Sequence, residues 1–275
     1  MKADLLFELG TEELPPKVLM SLSRALVDGI QKNLDEQKLS FNQIDSFAAP
    51  RRLAVIIKAL DARTPDTEVV SWGPPVKVAF DADGKPTRAA EAFASKNGLD
   101  VSALSSNVES DGKHDKLCAR RIETGKNTTS LLGGIIGESL SALPIPKRMK
   151  WGEGKEEFVR PVQWVVLLFN GKTCKEQILG VTAGNISQGH RFHGCGDIVI
   201  TSPDSYEQQL HDGFVLASFE KRRLLIKDGV SALAKAAGGN AVIDEALLDE
   251  VTALNEWPVP LRGHFEETFL SVPSE

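Results

Sequence analysis

Cysteine is scarce. The 275 residues hold 3, Cys118, Cys174 and Cys195, none of them in a C-x-x-C spacing, so no disulfide framework is encoded and a reducing, cytoplasmic compartment is expected rather than secretion. Long apolar runs are missing as well. Val165-Val166-Leu167-Leu168-Phe169 is the most apolar stretch, far below the roughly 20 residues that a membrane span needs. Met1-Lys2-Ala3-Asp4 reaches an acid at once, so neither a leader nor a membrane partner is expected. There is no surplus of positive charge either: 32 Lys and Arg against 38 Asp and Glu leave the chain at -6. Such a chain does not wrap nucleic acid by bulk charge, and any RNA contact has to come from local basic patches. Hydrolase elbows, phosphate-binding loops and metalloprotease signatures are absent, as are internal repeats and low-complexity tracts.

With 41% hydrophobic and 25% charged residues, a chain of this length buries a core without disulfides or metal. Residues 4–9 read as a short strand, with Gly10 permitting a turn and Pro15-Pro16 opening a helix. Val18, Leu22, Leu26, Ile30 and Leu34 recur every four residues and form that helix's buried stripe. Leu53-Ala54-Val55-Ile56-Ile57 is a second strand. From 61 to 86 the texture changes: Trp72-Gly73-Pro74-Pro75 reads as a rigid elbow and Asp81-Ala82-Asp83-Gly84 as a turn. A helix over 87–97, a loop over 107–112, a strand over 116–122 and a helix over 128–143 follow. Strands are expected over 158–170 and near 176–181, and helices over 202–212, 218–237 and 246–254. The pattern is α+β, mixed sheets with packed helices and a helical C-terminal third. Its expected divisions are an α/β layer from 1–62 and 155–200, an inserted or separate subdomain over 63–154, and a mainly helical segment over 201–275.

The densest basic cluster is Pro144-Ile145-Pro146-Lys147-Arg148-Met149-Lys150-Trp151-Gly152. Two prolines hold the chain extended there, and three cations flank an indole that can stack on a base. The alternative is a solvated loop whose Trp151 plugs the core. Arg160 either extends this patch or pairs with Glu156 or Glu157, and Arg51 and Arg52 face the same choice. His190, His193 and Cys195 offer soft ligands, but no second ligand pair stands at finger-like spacing and Arg191 among them repels a cation. A metal site is therefore disfavoured, and His190 and Arg191 read better as anion or RNA-backbone contacts. Gly133, Gly134 and Gly137 lie in an apolar helical pattern and read as close helix packing. Glu12 and Glu13 either attract a cationic partner or, the favoured reading, suit the positive end of a helix dipole, and Glu256-Trp257-Pro258 reads as a packing or interface element.

Taken in order, Leu5-Leu6-Phe7-Glu8-Leu9-Gly10-Thr11-Glu12-Glu13-Leu14-Pro15-Pro16, Pro50-Arg51-Arg52-Leu53-Ala54-Val55, Met149-Lys150-Trp151-Gly152, Phe158-Val159-Arg160-Pro161-Val162-Gln163-Trp164, Gly189-His190-Arg191-Phe192, Asn255-Glu256-Trp257-Pro258 and Phe269-Leu270-Ser271-Val272-Pro273-Ser274-Glu275 resemble the N-terminal part of the beta subunit of bacterial tetrameric glycyl-tRNA synthetases. Lys150 stands where that family often has Arg, and Gln163 where it often has His, which weakens any essential role for position 163. The resemblance implies an accessory subunit of a glycine–tRNA ligase, itself without catalytic residues. Its partners are glycine tRNA and an alpha subunit, assembled as alpha2beta2, and the alpha subunit carries the catalytic core and uses ATP and Mg. No cofactor or metal is expected on this chain. The resemblance also implies that the family continues beyond position 275, and that part of the fold is similar to the B3/B4 module of phenylalanyl-tRNA synthetase.

Editing, which that module houses, is not carried over, because glycine is the smallest amino acid and a size-excluding site already rejects larger ones. Lys147, Arg148, Lys150, Trp151, Arg160, His190, Arg191, Arg51 and Arg52 are the expected tRNA contacts. A purely structural docking module without RNA affinity is the alternative.

Overall fold

The structure is a computed structural model that describes residues 1–194 and 196–272. The chain divides into two compact units, Met1–Arg63 with Asn127–Glu275, and Thr64–Lys126. In the first unit, β1 (Lys2–Thr11) leads into α1 (Pro16–Glu36) and returns as the hairpin β2 (Gln43–Ala49) and β3 (Arg52–Asp61). The strand expected at 53–57 is thus the second arm of a hairpin. Pro50 and Arg51 make its turn, because proline at a strand end removes a ladder donor where none is needed.

The second unit holds β4 (Thr67–Pro75), α2 (Val76–Ala79), α3 (Arg88–Asn97), β5 (Val108–Ser110) and β6 (Asp115–Glu123), with the strands ordered β4-β6-β5. Its core is small: Ala79, Ala90, Ala94, Leu104 and Leu117 are buried together. α3 ends at Gly98 with φ +65°, the left-handed cap that glycine supplies without strain. The stretch read as a loop at 107–112 contains β5, which pairs with β6 from Val108 to Ser110. The expected elbow at Trp72-Gly73-Pro74-Pro75 is the end of β4. Gly73 is needed there because a Cβ would fall 2.8 Å from the ring of Phe93.

The first unit resumes with α4 (Leu132–Ser141), the short pair β7 (Met149–Lys150) and β8 (Glu157–Phe158), then β9 (Val162–Phe169) and β10 (Lys172–Thr173). Two small hairpins follow, β11 (Gln177–Ile178) with β12 (Val181–Thr182) and β13 (Ile186–Gln188) with β14 (Asp197–Val199). The helices α5 (Tyr206–Asp212), α6 (Phe219–Ala236) and α7 (Glu245–Leu254) come last, and residues 255–266 carry no helix. The expected subdomain over 63–154 is therefore a smaller unit, since α4 belongs to the first unit and packs on α1. At that crossing the glycine that permits close approach is Gly29, whose Cβ would lie 3.1 Å from Ser139. Gly134 and Gly137 have nothing within 4 Å of a built Cβ. Asn33 of α1 donates to Ser139 Oγ at 3.0 Å and to the Ile135 carbonyl at 3.1 Å.

The five-stranded antiparallel sheet runs β10-β9-β1-β3-β2 and is apolar on both faces. Leu5, Phe7 and Leu9, with Leu53, Val55 and Ile57, pack toward α1 and α4. Leu6, Ala54, Ile56, Val166 and Leu168 pack toward Tyr206 and Leu210 of α5. This is the period-two alternation of a strand buried on both sides. It places Glu8, next but one to Leu6, inside the protein. Arg222 of α6 is also fully buried and donates to the carbonyls of Ala48, Ala217 and Thr252. Burial lowers its pKa to about 10, and the clamp ties β2 to the C-terminal helices.

Candidate functional site

Glu8 and Arg52 are the centre of a buried polar network. The Glu8 carboxylate accepts from Trp164 Nε1, Ser187 Oγ and Tyr206 Oη, and Arg52 Nη1 stands 3.6 Å from its Oε2. Arg52 Nη2 donates to Glu256 Oε1 at 3.2 Å and to the Gln188 carbonyl at 2.8 Å. Its Nε is the buried side-chain polar atom without a partner among the described residues. Arg51 Nη2 donates to Glu256 Oε2 at 3.0 Å and to the Gly189 carbonyl at 2.7 Å. The two guanidinium groups lie 5.8 and 5.6 Å from the Trp164 ring centroid. Two carboxylates balance two guanidiniums, which is the condition under which buried charge is tolerated.

Electrostatics follow from that balance. Burial opposes the Arg52 charge, but Glu8 and Glu256 outweigh it and hold its pKa raised. Burial, reinforced by Glu8, pushes the Tyr206 hydroxyl well above its ordinary value. Burial lowers the His190 pKa. His190 Nδ1 accepts the backbone N–H groups of Phe192 and His193, each at 3.2 Å, which requires that nitrogen to be unprotonated. Apart from Arg52 Nε, the buried side-chain polar atoms of the network are all partnered, and its chemistry is that of a scaffold.

Arg51 and Arg52 are thus buried ion-pair partners, not RNA contacts, because Arg52 has no exposed surface and both guanidiniums are consumed by Glu256 and backbone carbonyls. Arg191 is exposed, yet it pairs with Glu12 at 2.7 Å and Glu13 at 2.9 Å. Those acids precede α1, outside its first turn, and hold a cation, so the cationic-partner reading holds in place of the favoured helix-dipole one. Arg160 donates to the carbonyls of Glu13 at 3.0 Å and Val159 at 3.4 Å, not to Glu156 or Glu157. Gln163 Nε2 donates to Glu12 Oε1 at 3.2 Å.

Within the basic segment, Lys150 pairs with Glu157 at 3.2 Å and Arg148 donates to the carbonyls of Ser141 and Glu157. Trp151 is half-buried against the main core, the plug reading of its indole. Lys147 and Arg160 rim a groove of about 440 Å³ floored by Pro15, Val18, Leu22 and Ile145. His190 and His193 stack on each other with centroids 4.6 Å apart. Cys195, the third residue of the disfavoured metal reading, lies outside the described residues, and no metal-ligating group of three stands among those described. No helix among them is long and apolar enough to cross a membrane.

The family model described as glycyl-tRNA synthetase beta subunit matches residues 5–275. The chain belongs to this beta-subunit family. A relative from Marinobacter nauticus, named glycine–tRNA ligase beta subunit, is 52% identical over 274 residues, 99% of this chain and 39% of its own length. Relatives of the same name from Hahella chejuensis and Stutzerimonas stutzeri are each 49% identical, with the same coverage. The chain thus spans about two fifths of the length of the curated relatives it matches. Within this beta-subunit chain, sequence reasoning missed Glu8, Ser187 and Tyr206 as network members. The available signal was Glu8 itself, a lone acid inside the apolar run Leu5-Leu6-Phe7-Glu8-Leu9.

Proposed function

We propose that this chain is an accessory module of a cytoplasmic glycine–tRNA ligase, contributing tRNA contact and subunit assembly to ATP-dependent glycylation. In this reading the catalytic core, with its ATP and Mg, resides in an alpha subunit, and the assembly is alpha2beta2. Part of the first unit corresponds to the B3/B4 module of phenylalanyl-tRNA synthetase. The observation that carries the reading is the match of the beta-subunit family over residues 5–275.

The tRNA contacts proposed are Lys147, Arg148, Lys150, Trp151, Arg160, His190 and Arg191. Lys147 and Arg160, on the groove rim, have no acidic partner among the described residues, so they are the cations most available to phosphate. The test is fluorescence anisotropy of the 275-residue chain with glycine tRNA and its acceptor minihelix across a salt series. Arg148→Ala is expected to weaken binding and flatten the salt dependence. An unchanged slope counts against the RNA part of the reading.

A docking module without RNA affinity is the second reading. It is favoured by the neutralisation of Arg51, Arg52 and Arg191 by Glu256, Glu8, Glu12 and Glu13. It expects capture of the alpha subunit with no binding of either RNA.

A further inference from the structure

Five rings form a continuous row on the first unit. His190 stacks on His193 at 4.6 Å, His193 meets Phe214 at 6.0 Å, Phe214 meets Trp257 at 5.4 Å and Trp257 meets His211 at 5.0 Å between centroids. Phe192 extends the row beyond His190, at 6.1 Å and 86% exposed. The sequence hid this row, because its members come from the loop after β13, the end of α5 and the segment after α7.

Both flanks of the row are fixed by one buried side chain. Arg51 donates to the carbonyl of Gly189, which precedes His190, and to the carboxylate of Glu256, which precedes Trp257. The Glu256 carbonyl accepts from Leu216 N at 3.0 Å, and the Gly213 carbonyl accepts from His190 N at 2.8 Å. The buried network thus holds rings from three segments in register.

Phe214 is the anomaly. It sits just past the end of α5 with φ +60°, the left-handed position where helices usually place glycine. Gly213 beside it serves a different need, since a Cβ there would fall 2.4 Å from Ile198. Phe214 is not buried either, with 41% of its surface exposed. A bulky residue in this conformation is strained, and core packing gives no return for the strain. Residues held in such conformations cluster at binding sites.

We propose that this row is a stacking platform for unpaired nucleotides of RNA. The proposal rests on the reading that the chain contacts tRNA, and it names the kind of contact. Three of the five rings are imidazoles, which cover little apolar area for a protein partner but offer π-faces and nitrogen edges that bases use. Burial lowers the His190 pKa and so favours its uncharged ring. Arg191, between His190 and Phe192 in sequence, is already neutralised by Glu12 and Glu13, so affinity at the row comes from stacking and depends little on salt.

The experiment is anisotropy of the 275-residue chain with a short labelled single-stranded oligoadenylate, and with glycine tRNA carrying or lacking its unpaired 3′ nucleotides. The chain is expected to bind oligoadenylate in preference to duplex RNA. Phe192→Ala and Trp257→Ala are each expected to weaken it about tenfold without changing the salt slope, while Phe192→Tyr and Trp257→Phe retain binding. Phe214→Gly relieves the backbone and keeps or raises the melting temperature while weakening RNA, which separates binding from folding. If removing the 3′ nucleotides from tRNA reproduces the loss, the bound strand is the acceptor end; if not, it is an internal loop.

Oligoadenylate that binds no better than duplex, or that is indifferent to these substitutions, overturns the proposal. If glycine tRNA still binds with salt dependence in that case, the tRNA-contact reading survives. Oligoadenylate binding without tRNA binding keeps the platform and removes that reading. Loss of alpha-subunit capture in Phe192→Ala with RNA affinity unchanged reassigns the rings to a protein contact and overturns the proposal.

Discussion

Arg52 of β3 and Glu8 of β1 face each other inside the sheet with no exposed surface, Nη1 to Oε2 at 3.6 Å. Removing one member leaves the other charge buried without its partner, which costs about 3–5 kcal/mol. Arg52→Ala is therefore expected to lower the unfolding free energy, read from urea titration, by that amount. Arg52→Lys is expected to fail nearly as badly, because an ammonium cannot reach Glu256, Ser187 and the Gln188 carbonyl together as the guanidinium does. A loss below about 1 kcal/mol in Arg52→Ala would show the pair to be nearly neutral against an apolar replacement.

The Trp164 ring occupies the place of a side chain at Gly10, where a Cβ would fall 1.9 Å from Cε2. Gly10 and Trp164 are cross-strand partners of β1 and β9, and the indole must lie over the glycine to reach Glu8 with Nε1. Gly10→Ala therefore displaces the ring and is expected to cost about 1–3 kcal/mol, the range of overpacking. Combining it with Trp164→Leu removes the clash but also the Glu8 hydrogen bond. Thermal melts of the two single variants and the double variant should be non-additive, and simple additivity would rule out the clash as the mechanism.

Much of the first unit was legible in the sequence because its elements are strongly periodic. The stripe of Leu22, Leu26, Ile30 and Leu34 fixes α1, and the β-branched run at 53–57 fixes β3. The hairpin arm β2 was not legible, since its Gln43-Ile44-Asp45-Ser46 start carries little apolar signal. The sites were less readable still. Arg51 and Arg52 look like surface cations until Glu8 and Glu256, 44 and 204 residues from Arg52 in sequence, are seen beside them. Basic residues reveal their charge in a sequence but not their partners, and the partners decide whether phosphate can be reached.

Glu12 and Glu13 hold Arg191 at the surface. Their replacement by Gln removes two negative charges from ground that RNA is proposed to approach and frees one guanidinium. Glu12→Gln with Glu13→Gln is expected to tighten tRNA binding and steepen the salt dependence by about one counterion, as expected for one added phosphate contact. Stability should change by no more than about 1 kcal/mol, because such exposed pairs contribute little. Unchanged affinity and slope in the anisotropy series would place Arg191 outside the RNA path.

His190 links pH to the loop that carries the rings. Its pKa is lowered from the ordinary 6.5, chiefly by burial, so between its folded value and 6.5 the unfolded chain binds the proton and the folded one does not. Stability therefore rises with pH across that window. The contribution is intact above about pH 6.5 and is lost as pH falls through the lowered folded value. Protonation at Nδ1 also removes the acceptor for the Phe192 and His193 amides. On acidification, amide exchange corrected for intrinsic rates should accelerate at those two positions before the five-stranded sheet opens. His190→Asn offers a side-chain oxygen as acceptor without a titrating group, so its loop should lose the pH dependence. If the variant and the parent chain respond alike to acid, the sensitivity belongs to another group.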